Sequence, residues 1–112
     1  SGPAFARDFH QRTGREATAA EVLAFATAGD AQAEEAWQRY ERRLARALAS
    51  LINIVDPDVI VAGGGLSNVA RLFEHVPQLW DKWVFSDRVD TRLVPATFGD
   101  SSGVRGAAWL WG

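Results

Sequence analysis

The stretch Asp56-Pro57-Asp58-Val59-Ile60-Val61-Ala62-Gly63-Gly64-Gly65-Leu66-Ser67-Asn68 decides the fold, because it reads as a buried strand running into a glycine turn and then a helix start. Pro57 lacks an N–H and pushes its predecessor out of the α region, so the preceding helix ends there. Val59 to Ala62 are apolar at every position, which suits a strand covered on both faces as in a parallel sheet. Gly63, Gly64 and Gly65 then remove every Cβ from the carboxyl end of that strand, allowing a ligand to touch the main chain. Ser67 or Asn68 is placed to cap the following helix, whose free N–H groups would favour an anion. Such a turn suits a nucleotide or phosphate at the end of a sheet strand. It lacks the lysine and Ser/Thr of a P-loop and the last glycine of the dinucleotide fingerprint. On spacing alone, a ligand-binding turn and a merely tight strand-to-helix connection both remain open.

Upstream, Pro3 stands near a helix start, Phe5 and Phe9 share one face, and Gly14 stops the helix. Thr18-x-x-Glu21 is a capping box opening a second helix that runs to Gly29. Asp30 can cap a third, long helix whose stripe is Trp37, Tyr40, Leu44, Ala47, Leu48, Leu51 and Val55. Its other face carries Arg39, Arg42, Arg43 and Arg46, and Glu34, Glu35 and Glu41 interrupt any nucleic-acid stripe, leaving an ordinary solvated face.

Downstream, Val69, Leu72, Phe73 and Val76 give an amphipathic helix that Pro77 should stop or restart, followed by the aromatic cluster Leu79, Trp80, Trp83, Val84 and Phe85. That cluster reads as core or interface. Arg92 to Phe98 is a short strand that Pro95 assigns to an edge. Asp100-Ser101-Ser102-Gly103 is a loop and cap signal, and Val104 to Trp111 is expected to form a closing helix. The order is helix, helix, long helix, strand, helix, strand, helix, with the two strands parallel. Two strands are too few for a sheet, so further strands are expected upstream.

Composition sets outer bounds. The 112 residues, 47% of them hydrophobic, fit one globular domain or part of one. A formal charge of −2 with interleaved signs supplies no attraction for nucleic acid or an anionic membrane. With no cysteine, the segment has neither disulfides nor thiolate metal sites, and no apolar run approaches a membrane span. Ser1 opens no signal peptide, and the absence of an initiator methionine suggests a start inside a longer protein. His10 and His75 have no partner at ligand spacing, and Asp56, Asp58 and Asp100 suit turns and caps.

Three segments together, Ser1-Gly2-Pro3-Ala4, the run from Leu44 to Asn68, and Gly99-Asp100-Ser101-Ser102-Gly103-Val104-Arg105-Gly106-Ala107-Ala108-Trp109-Leu110, closely resemble the C-terminal part of ROK-family sugar kinases, with bacterial fructokinase the nearest look. The resemblance covers essentially residues 1–112 and implies an α/β fold. This would be the C-terminal portion of a ribonuclease H-like, actin/hexokinase-type ATPase domain, with two parallel strands and flanking helices. It further implies that Gly63, Gly64 and Gly65, completed by Leu66 and Ser67, border the adenosine of ATP, that Pro3 lies beside the nucleotide, and that Gly106 and Ala107 belong to a helix at the hinge between lobes.

By the same resemblance ATP and Mg²⁺ are the expected cofactors and a hexose such as fructose the substrate; the lack of cysteine is compatible with the cytoplasm, and the sheet edge and aromatic surface that two strands leave uncovered point to a homo-oligomer. The phosphate loop, catalytic aspartate, sugar-holding residues and a structural zinc loop would all lie upstream, so the isolated segment is expected to be inactive. Two alternatives stand beside the kinase: the sugar-sensing body of a ROK-type repressor, and a packing or oligomerisation module.

Overall fold

The computed structural model describes residues 2–86, 89–96 and 106–111. The chain divides into two units, Ser1–Tyr40 and Glu41–Gly112. Helix α3 (Ala31–Val55) contributes to both.

In the first unit, helices α1 (Gly2–Thr13) and α2 (Ala19–Thr27) begin and end where their local chemistry directs. The Thr18 hydroxyl accepts from the Glu21 N–H at 3.1 Å while the Glu21 carboxylate accepts from the Thr18 N–H at 3.0 Å, closing the capping box. Phe5 and Phe9 are buried, and Phe5 stacks on Trp37 at 4.3 Å and meets Tyr40 edge-on at 5.7 Å. Asp30 opens α3 by accepting from the N–H groups of Gln32 and Ala33. Its other oxygen takes a 2.6 Å bond from Arg15, whose guanidinium lies over Phe9 and Phe25.

The Arg15 hydrogen bond, followed by the Ala33 N–H, holds the Asp30 carboxyl below the usual carboxylate range. A lowered folded-state pKa contributes stability that is present above the unfolded value and lost as pH falls through the folded one. Asp30→Asn keeps the cap acceptor and loses the charge. Thermal melts of this variant should therefore lie below wild type at neutral pH and converge with it in acid. A gap that persists unchanged into acid would mean that the charge is not the source.

In the second unit, β1 (Val59–Gly63) is buried at every residue because it is the middle strand of a three-stranded parallel sheet ordered β2-β1-β3. Its partners are β2 (Arg92–Pro95), in register Ile60 with Leu93, and β3 (Ala107–Trp111), in register Ile60 with Ala108. Asp56 carries the chain out of α3 in the left-handed region at φ 44°, a conformation Asp tolerates better than most residues. Pro95 sits on an edge strand, as its missing donor requires.

Among the described residues the sheet thus has three strands where two were expected, and the third lies in the segment expected to be a closing helix. Ala107 to Trp111 is too short and too aromatic for small-residue clustering to define a helix. A central strand also needs its second row of backbone N–H and C=O groups paired, and β3 supplies those partners. Gly106 at φ 64° makes the entry turn, and its carbonyl accepts from the Asp58 N–H at 2.9 Å. Gly106 and Ala107 therefore start a strand, not a hinge helix. The loop expected at Asp100 to Gly103 lies outside the described residues.

Further expectations are corrected or refined. Helix α4 (Ala70–Trp80) continues through Pro77, because the stripe Leu72, Val76 and Trp80 is buried and holds the last turn in place. The buried face of α3 is Ala33, Ala36, Trp37, Glu41, Ala45, Leu48, Ala49 and Ile52, so Ala47 and Val55 of the expected stripe lie exposed. Glu41 belongs to that interior and not to a solvated face. The aromatic cluster divides: Trp80 is buried, Trp83 is half-buried beneath the Arg46 guanidinium, and Phe85 is 89% exposed.

Candidate nucleotide site

The carboxyl end of β1 is built entirely from main chain. Gly63, buried and extended, ends the strand, and a five-residue 3-10 helix (Gly64–Asn68) follows. Gly64 stands at φ 61°, where an L side chain is strained, and it is exposed. Gly65 is also exposed, lies outside the left-handed region, and has open space where a Cβ would project. Leu66 turns inward and is buried, anchoring the turn on the interior. Ser67 donates its hydroxyl to the Gly64 carbonyl at 2.8 Å, closing the turn on itself.

Neither Ser67 nor Asn68 caps the next α-helix, contrary to expectation. Val69 stands at that position and offers no side-chain acceptor. The first α-helical residue is Ala70, so Gly63 is followed by a short 3-10 helix that contains Gly64 and Gly65, and not by an α-helix dipole. The site's capacity for a ligand is thus steric: exposed, Cβ-free backbone at the carboxyl end of a central parallel strand, the end at which open α/β sheets receive ligands.

Beside Gly63 on that end stand Trp111 of β3, in register, and Ala96, whose N–H donates to the Ala62 carbonyl at 2.8 Å. The structure brings Gly63, Gly64, Gly65, Leu66 and Ser67 together as one turn. Pro3 is exposed in the first turn of α1 and belongs to the first unit, so the second unit's geometry carries the glycine turn alone.

Sequence reasoning missed a polar cluster on α3 and α4. The Glu41 carboxylate, 2% exposed, accepts from Arg71 Nε at 2.8 Å and Nη2 at 3.1 Å and contacts His75 Nδ1 at 3.0 Å. Since a carboxylate facing a guanidinium can only accept, this last bond calls for the Nδ1–H form of the ring. His75 is therefore not solitary. Thirty residues separate Glu41 from Arg71, and the only local hint was a glutamate aligned with apolar positions of α3.

Among the described residues no group of three or more His, Cys, Asp or Glu could hold a metal ion, so the turn offers no donor set for Mg²⁺ or zinc. Likewise, no helix there is long and apolar enough to cross a membrane.

This architecture of parallel strands, flanking helices and a glycine turn at the strand end is shared with known proteins. Over 95% of its length the chain superposes on a ROK hexokinase from Thermus thermophilus, with a TM-score of 0.75 and 28% identity, covering 36% of that chain. A structure from Cytophaga hutchinsonii, at TM-score 0.73 and 18% identity, covers 94% of this chain and 40% of its own and supports the fold alone. In sequence, the chain is 38% identical over 110 residues to an N-acetyl-D-glucosamine kinase of Aliivibrio salmonicida. That alignment takes in 98% of this chain and 36% of the relative, so the chain spans about a third of the relative's length. Residues 1–112 match the ROK family, and the chain belongs to it. Its fold is the actin/hexokinase type of α/β architecture.

Proposed function

We propose that this chain is the nucleotide-side portion of an ATP-dependent sugar kinase, with Gly63, Gly64, Gly65, Leu66, Ser67 and Pro3 bordering the adenosine of ATP. The observation that carries this reading is the exposed, Cβ-free turn at the end of the central strand in a ROK-family chain. Phosphoryl transfer rests on positioning and on charge stabilisation around the transferred group. Here the chain's part is positional: Leu66 anchors the turn, the Ser67 hydroxyl fixes the Gly64 carbonyl, and Gly64 and Gly65 present backbone to the ligand. The base, the Mg²⁺ ligands and the sugar pocket belong to the remainder of the complete protein, which we place in the cytoplasm as a homo-oligomer.

For the sugar, the resemblance implies fructose. The curated relative named above is an N-acetyl-D-glucosamine kinase, which supports N-acetylglucosamine as the preferred substrate. A coupled assay of ADP release by the complete protein should show sugar-dependent turnover, with kcat/KM highest for N-acetylglucosamine among N-acetylglucosamine, glucose, mannose and fructose. Preference for fructose would favour the sugar that the resemblance to fructokinase implies. Absence of turnover with all four would remove the kinase.

A further inference from the structure

We propose that Glu41 and Arg71 are positioning residues for the nucleotide turn, an inference that rests on reading Gly63 to Ser67 as the adenosine side of an ATP site. Arg71 is the second residue of α4 and follows the 3-10 helix almost directly. Among the described residues no side chain caps α4: Val69 provides none, and backbone bonds lead out of the turn, from the Val69 N–H to the Leu66 carbonyl and from the Leu72 N–H to the Val69 carbonyl, with Leu66, Val69 and Leu72 buried. The direction of α4 is fixed in addition from outside. Two donors of the Arg71 guanidinium meet both oxygens of a carboxylate that projects from α3 and is nearly sealed from water, and His75, one turn further along α4, braces one of the same oxygens.

A bidentate pair fixes direction as well as distance, which a single charge contact or an apolar contact does not. The helix that leaves the glycine turn is thus oriented by α3, and the turn between β1 and α4 is held at both of its ends. One end is the sheet register; the other is this fork.

The orienting role separates from mere stability because buried ion pairs can be exchanged for apolar side chains of similar size without loss of folding. In the complete protein, the double variant Glu41→Met with Arg71→Met keeps the volume and loses the fork. The expected result is an unfolding midpoint close to wild type, an ATP KM raised about tenfold and a sugar KM within about twofold of wild type, the split that displacement of a positioned ligand contact produces.

Arg71→Lys, which retains the charge but not the planar fork, should fall between wild type and the double variant. If the double variant fails to fold, the lysine variant decides alone: an ATP KM raised about threefold or more at unchanged sugar KM supports the proposal, and an unchanged ATP KM overturns it. A well-folded double variant with wild-type ATP KM also overturns it. Gly65→Val measured in parallel keeps the two ideas apart. If the glycine variant raises the ATP KM and the fork variants do not, the site stands and only the positioning role is lost.

Discussion

Glu41→Ala is expected to lower the stability of the complete protein by about 3–5 kcal/mol, the range for removing one partner of a buried ion pair. The carboxylate is 2% exposed and satisfies two donors of Arg71 and one of His75. Removing it takes this carboxylate away from a guanidinium that is only 16% exposed and leaves a cavity the size of the lost side chain. Exposed pairs behave differently. The Arg12–Asp8 contact, with Arg12 53% exposed, belongs to a class worth about 0–1 kcal/mol, so Arg12→Ala provides a contrast in the same protein. Denaturant unfolding checks both. Equal midpoints for Glu41→Ala and wild type would show that burial does not govern the pair. The paired Met variant supplies the complementary comparison, because it removes both charges at once and should cost far less than alanine alone.

What could be read in the sequence was whatever is decided within a few residues. The Thr18–Glu21 box, Asp30 at the start of α3, Pro57 after it and the apolar run of β1 each act on their own neighbours, and each stands in the structure as expected. Distant partners were harder. Ala107 to Trp111 looked helical because the requirement that makes it a strand, an unpaired edge of β1, lies 44 or more residues earlier in the chain. Glu41 looked like a surface charge because its partners are 30 and 34 residues away.

The candidate site divides along the same line. The glycine turn at the end of β1 was legible as geometry, because a Cβ-free strand end needs no distant partner to be noticed. The helix start after them was not, since Ser67 spends its hydroxyl on the Gly64 carbonyl and leaves Val69 at the α4 boundary. None of the quoted segments was expected to line a sugar pocket, so the resemblance to fructokinase carried no contact with the substrate.

Gly65→Val is expected to raise the ATP KM of the complete protein by about tenfold or more, with sugar KM within about twofold and folding unchanged. The choice of position follows from the two exposed glycines. Gly64 is held at φ 61°, so a side chain there adds backbone strain of about 1–2 kcal/mol, and any loss of nucleotide affinity would be mixed with a loss of fold. Gly65 carries no such conformational demand, and an added Cβ meets nothing within 4 Å. A side chain at Gly65 is therefore tolerated by the protein and felt only by what docks against the turn. Gly65→Ala should give a smaller rise than Gly65→Val, because one methyl fills less of the same open space. Steady-state kinetics against ATP at saturating sugar, then against sugar at saturating ATP, resolve the two KM values, and an unfolding midpoint confirms the fold. Should both variants keep the wild-type ATP KM, the nucleotide does not approach this turn, and Gly63 to Ser67 serve only to connect β1 to α4.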